Sequence, residues 1–208
     1  QRIYQRLTQA LEIEDIPNLP KWISKTIEKG EDDLALKYVD FLNSDPDSPW
    51  LNKIKMANQE SNDGSINQQS FVKSIKKYVL VANNPITIQT ADKQHKIFLN
   101  YWKAITNILG IEEPTVLFKY NGVELFCKFS VPFFNKMINM PDFKVSTMQS
   151  LLEQAFEEVE GDYAGVGHTD FWTKGSTASF LNSGALNVIN AEMVKALHKT
   201  NFQRDIEI

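Results

Sequence analysis

Glycines at 165 and 167 stand directly before the triplet His168-Thr169-Asp170. Glycine lets the backbone come close to a bound molecule, and an imidazole two residues from a carboxylate offers a pair of acid–base groups. Polar loop positions of this kind are often functional, although a plain turn capped by Thr169 or Asp170 would use the same residues. A few residues on, Lys174-Gly175-Ser176-Thr177 puts an ammonium, a glycine and two hydroxyls in one short loop. Such a loop can hold a phosphate through backbone N–H groups and the lysine. It is not a Walker motif, because the order is reversed and the upstream glycine spacing is missing.

A third candidate is charge rather than chemistry. Lys73, Lys76 and Lys77 fall at i, i+3 and i+4. On a helix they share a face turned away from Phe71, Ile75 and Val79, where a phosphate backbone would meet them. They lie in a basic middle. Residues 1–49 carry six basic and ten acidic side chains, residues 50–110 carry eight and three, and residues 111–208 carry eight and thirteen. A basic stretch between acidic flanks is a binding face or simply a solvated helix surface.

Other reactive residue types read as structural. Glu157, Glu158, Glu160 and Asp162 crowd together in sequence, but adjacent carboxylates on a helix point in different directions, so a solvated acidic face is expected and no metal site. Cys127 sits among phenylalanines and reads as core. His95 and His198 fall on predicted helices without a partner at ligand spacing, as surface or boundary residues. No catalytic motif is complete and no cofactor is expected. A lone cysteine forms no internal disulfide, and no run of about 18 apolar residues occurs, so a cytoplasmic protein without a membrane partner is expected. The opening Gln-Arg-Ile-Tyr reads as the middle of a helix, as in a piece of a longer protein.

These residues must be positioned by helices. Ile3, Leu7 and Leu11 predict a helix over 2–13, broken near Pro17; Trp22, Ile23 and Ile27 predict a second over 20–29, capped by Gly30. Leu34, Tyr38, Phe41 and Leu42 predict a third over 31–43, ended by the break from Ser44 to Pro49. Residues 51–56 and 86–89 are expected as short strands, with a loop from Asn58 to Ser65 between. Asn67 or Ser65 caps a helix over 68–81. The strongest helix spans 92–109, with Trp102 and Ile105 at the centre of its apolar stripe and Gly110 closing it.

Residues 115–140 read two ways. Asn121-Gly122 between apolar runs signals a hairpin, and residues 123–131 alternate as a strand would. A helix instead gathers Val123, Phe126, Cys127 and Phe129, with Pro132 opening a further helix. After Pro141, Ser146 or Thr147 caps a helix to about 160. Residues 161–184 hold five of the nine glycines and are irregular, and a last helix covers about 185–199. The expected fold is mainly α, a multi-helix globular domain with a few short strands or one small hairpin. An N-terminal helical segment (1–49) precedes the main domain (50–199) and a tail (200–208).

The stretch Lys96-Ile97-Phe98-Leu99-Asn100-Tyr101-Trp102-Lys103-Ala104-Ile105, with 117–125 (Leu-Phe-Lys-Tyr-Asn-Gly-Val-Glu-Leu), Phe171-Trp172-Thr173-Lys174-Gly175-Ser176 and Ser183-Gly184, resembles the C-terminal region of DGQHR-domain proteins of bacterial DNA-modification and phage-defence loci. Ser65-Ile66 and Phe71-Val72-Lys73 fit the same pattern, so the resemblance runs over about residues 20–199. It implies a helix at 122–130. The family's defining motif, in a ParB-like core, is not carried over: Asp92-Lys93-Gln94-His95-Lys96 has Lys93 for Gly and Lys96 for Arg, and opens a helix rather than following a strand.

The resemblance implies an accessory helical domain of a DNA-associated bacterial protein, and the charge and loop chemistry above make Lys73, Lys76, Lys77, His168, Lys174 and Ser176 its expected contacts to DNA or to a partner protein from the same system. One alternative is a segment that completes a nuclease- or NTPase-like active site by lending His168, Asp170 or Lys174. Another is a purely structural interaction module.

Overall fold

Ala35, Tyr38, Val39 and Leu42 recur at helical spacing, and all four are buried in a computed structural model that describes residues 21–56, 66–110 and 115–200. They belong to α1, one helix from Lys21 to Ser44. The predicted helix over 2–13 and the loop from Asn58 to Ser65 lie outside the described residues. The break expected at Gly30 does not form. A mid-helix glycine costs only about 1 kcal/mol against alanine, less than ending the hydrogen-bond ladder there and starting a new one. α1 stops at Ser44, whose hydroxyl donates back to the Asp40 carbonyl at 2.7 Å. The turn beyond is closed by Asp45, whose carboxylate accepts the Asp47 N–H at 2.8 Å.

The turn delivers Trp50 into the core, with its ring 4.5 Å from that of Phe118 and 4.9 Å from that of Trp102. Two very short strands follow, β1 (Ile54–Lys55) and β2 (Ile66–Asn67), paired in parallel with Ile54 opposite Ile66. The strand expected at 86–89 is instead a 3-10 turn, Pro85–Ile88. The side chain of Asn84 accepts the Ile86 N–H, and Gln94 donates to the carbonyls of Thr87 and Gln89. Those side chains supply the partners that a neighbouring strand would otherwise provide.

α2 runs from Gln68 to Ser74, capped by Asn67, whose side-chain oxygen Oδ1 accepts the Ser70 N–H at 2.7 Å. It continues as a π turn, Ile75–Val79. α3 (Ala91–Leu109) has Trp102 and Ile105 fully buried, and Gly110 ends it at φ +74°.

The two readings of 115–140 resolve to one helix, α4, from Tyr120 to Met137. Asn121 and Gly122 fall in its first turn and serve packing there. A Cβ at Gly122 would lie 2.1 Å from the Leu117 carbonyl oxygen, so only glycine lets the helix start this close to the preceding turn. Asn121 donates to the carbonyls of Ala178 and Leu181. The boundary expected at Pro132 is also absent. An interior proline costs a helix about 3 kcal/mol. Phe126, Phe129, Phe133 and Phe134, all fully buried, outweigh that by holding both halves of α4 on the core.

α5 (Val145–Glu157) is capped at Lys144 rather than by Ser146 or Thr147. Thr147 instead donates to Asp142, which also accepts the Lys144 N–H. Three 3-10 turns, Gly161–Gly167, Thr169–Trp172 and Thr177–Phe180, lead to α6, Ser183–Lys199, capped by Asn182. Among the described residues the architecture is six α-helices with one two-stranded sheet, a mainly α fold. One contiguous core runs from Ala35 in α1 to Leu197 in α6.

Candidate functional site

The π turn is where the sequence-predicted lysines meet the rest of the fold. A π turn inserts one residue into a helix and frequently marks a functional position. Its signature here is the Leu80 N–H donating to the Ile75 carbonyl at 3.0 Å. Ile75 and Val79 both stay buried, and the intervening side chains are turned outward. Lys76 reaches α1 and pairs with Asp32. Lys77 reaches α4 and lies 3.6 Å from the Glu124 carboxylate. Lys73, Lys76 and Lys77 line one open groove of about 520 Å³ between α1 and α2, together with Glu31, Asp32 and Val72. The three lysines thus border one groove, with carboxylates of α1 on its other wall, while the ammonium groups of Lys76 and Lys77 are directed toward different helices.

On its far side Lys77 also lines a smaller cleft, about 90 Å³, where the π turn meets α4 and α6. Glu124 is its hub. Tyr78 donates to Glu124 at 3.0 Å, and Lys128 donates to the side chain of Asn187 on α6. The ammonium of Lys77 sits 4.7 Å from the centre of the Tyr78 ring. A hydrogen bond with Tyr78 and the charge of Glu124 raise the Lys77 pKa above its usual value and keep the ammonium charged. Tyr78 is raised by burial and by Glu124, and Tyr120 by a hydrogen bond to Glu124 and by burial, so both phenols hold their protons as donors.

Sequence reasoning missed Tyr78, Tyr120, Glu124 and Lys128. Tyr120, Glu124 and Lys128 fall at i, i+4 and i+8, one face of a helix, and that signal was hidden while the segment also read as a hairpin. The groove and the cleft share Lys77, which leaves Lys73 and Lys76 on the groove side of it and Lys128 on the cleft side.

No family model, curated protein or solved structure matches this chain. The DGQHR-domain resemblance therefore rests on the sequence segments alone.

The other candidates lie on the 3-10 segment. His168, Asp170 and Lys174 are exposed, and Ser176 is half-buried. The phosphate-cradle geometry is largely occupied from within. The Gly175 N–H donates to Ser179 Oγ at 2.8 Å, the Ser176 N–H to the Thr173 carbonyl at 3.0 Å, and the Ser176 hydroxyl to the Phe171 carbonyl. The segment is pinned by Trp172, whose indole N–H donates to the Val166 carbonyl at 2.9 Å.

The residues read as structural hold structural places. Burial pushes the Cys127 thiol well above its usual pKa, which disfavours the thiolate. Glu158 and Glu160 pair with Lys199 at the end of α6, at 3.5 and 3.0 Å. Among the described residues no group of three or more His, Cys, Asp or Glu side chains is placed to hold a metal. His95 packs against Tyr38 and Phe41 of α1, and Gln94 accepts from Tyr38 at 2.9 Å. The Asp92–Lys96 run thus helps fasten α1 to α3. Among the described residues no helix is long and apolar enough to cross a membrane.

Proposed function

We propose that this chain is an accessory helical domain of a DNA-associated bacterial system that contacts nucleic acid through the lysine band of the π turn. One observation carries the reading: Lys77 belongs to both clefts, with Lys73 and Lys76 on one side of it and Lys128 on the other. Such a track meets phosphates without reading base identity. Asp32 and Glu124 already answer two of its charges, so binding is weak and its salt dependence is shallower than four unopposed lysines would give.

The test is a titration of the wild type and a Lys73→Glu/Lys76→Glu/Lys77→Glu variant with a short labelled oligonucleotide at about 50 mM salt, the low end of the range where phosphate contacts are strongest. The variant should lose binding while its Tm stays close to wild type. Identical curves would remove the lysine band from the reading. A second reading, docking of a partner protein from the same system, draws on those same ion pairs, because a groove of mixed charge with Val72 on its wall suits a protein surface. Absence of binding by both proteins would favour it.

A further inference from the structure

Among the described residues most large aromatic rings are buried, yet Tyr120 and Phe180 stand out in water. Phe180 is 78% exposed and Tyr120 is 42% exposed. They come from different parts of the sequence and are held on the same edge by Asn121. Its side-chain amide donates to the carbonyls of Ala178 at 3.3 Å and Leu181 at 3.0 Å, the two residues that bracket Ser179 and Phe180. Tyr120 immediately precedes it and begins α4. The cleft of about 90 Å³ has Lys77, Glu124 and Lys128 on its walls, and Glu124 is the residue to which the Tyr120 side chain hydrogen-bonds. α4 and α6 both begin on this edge, after Lys119 and Asn182, so the positive ends of two helices add to the lysines.

Exposed rings next to ammonium groups are the recognition chemistry of unpaired nucleic acid. Each base of a single strand has a free face that can stack on an aromatic side chain, while lysines follow its phosphates. A duplex hides those faces inside its own stack. A cleft of this size also admits a phosphate or the edge of a base and no more. Resting on the nucleic-acid reading above, we propose that this edge is a single-strand binding site: bases stack on Tyr120 and Phe180, and the backbone runs past Lys128 and Lys77 toward Lys73.

The experiment compares a labelled oligothymidylate of about 12 nucleotides, within the span of known single-strand sites, with a duplex of the same length in an anisotropy titration at about 50 mM salt. Wild type should bind the single strand more tightly. A Tyr120→Ala/Phe180→Ala variant should lose at least about fivefold of that affinity, the effect of one lost stacking contact. Tyr120→Phe should retain it. A Phe180→Trp variant gives a second readout independent of folding losses, because its added emission should be quenched when the oligonucleotide binds. Two results would overturn the proposal: an unchanged affinity in the double alanine variant, or equal affinity for duplex and single strand with no quenching at position 180. Either would leave the lysine band standing if the triple lysine variant still lost binding. Failure of wild type to bind any nucleic acid would sink both readings together.

Discussion

The π turn and the 3-10 segment after α5 both hold candidate residues legible in the sequence, and the fold treats them in opposite ways. In the π turn the backbone is regular up to Ser74, and then one extra residue sends Lys76 toward α1 and Lys77 toward α4. The side chains reach outward and their partners lie on other elements. In the 3-10 segment it is the backbone that is consumed: Thr173, Gly175 and Ser176 spend N–H groups on the segment's own oxygens, while His168 and Lys174 extend from it into solvent. A glycine-rich polar loop looks available in sequence because its own hydrogen bonds are invisible there. A lysine face looks unopposed because the opposing carboxylate sits 44 residues away at Asp32.

If the irregular segment is anchored as firmly as the helices, its buried tryptophan should matter as much as theirs. Trp172 and Trp102 are both fully buried, so truncating either to alanine should cost about 3–5 kcal/mol. Chemical denaturation of both variants measures it. A loss for Trp172→Ala well under that for Trp102→Ala would make the segment a loosely held appendage.

Glycine substitutions give the next largest effect. Gly122→Ala places a Cβ against the Leu117 carbonyl oxygen and should destabilise by at least about 1–3 kcal/mol, as overpacking does. Gly30→Ala meets nothing within 4 Å and should stabilise α1 by up to about 1 kcal/mol. Thermal melts that failed to separate the two in sign would contradict the packing described for the start of α4.

A smaller effect isolates charge. Asp32→Asn removes the carboxylate facing Lys76 and should change stability by less than about 1 kcal/mol, because the pair is partly exposed. The same change should tighten oligonucleotide binding and steepen its salt dependence. Unchanged binding would mean that Lys76 is not part of the track.

The smallest effect belongs to the tether between Lys199 and the acidic end of the 3-10 segment. Lys199 lowers the pKa of Glu160 below its ordinary 4.5. Glu160 thus contributes stability that is present above about 4.5, where the unfolded group titrates, and is lost as pH falls through the lower folded value. Both groups are exposed, so raising the salt should erase the difference between wild type and Lys199→Ala, whereas the tryptophan variants should keep theirs.

Much of the fold was legible because burial follows periodicity. The stripe around Trp102 in α3 and the Asn67 cap of α2 needed no knowledge of the rest of the chain. What was not legible depended on long-range contact. Asn121-Gly122 is a turn signal in isolation, and the Leu117 carbonyl together with the backbone at 178 and 181 turns it into a helix start. Pro132 reads as a boundary until the phenylalanines on both sides are buried against one core. The lysines of the candidate site were found by spacing, and their partners on α1 and α4 were not. Tyr120, Glu124 and Lys128 became readable as one face only once α4 was known to be helical.

The π turn also says something about length. A helix that closes i to i+5 contains one residue more than its span requires, so the stretch from Asn67 to Asn84 could bridge the same distance with one residue fewer. Deleting a residue between Ile75 and Val79 would turn the bond from the Leu80 N–H to the Ile75 carbonyl into an ordinary i to i+4 bond and leave the chain beyond in place. Only two side chains would then lie between the buried Ile75 and Val79, where three now reach toward α1 and α4. The surplus residue lets one turn serve two surfaces, and chains sharing this site should be recognisable by its presence, whatever else in the helix has changed.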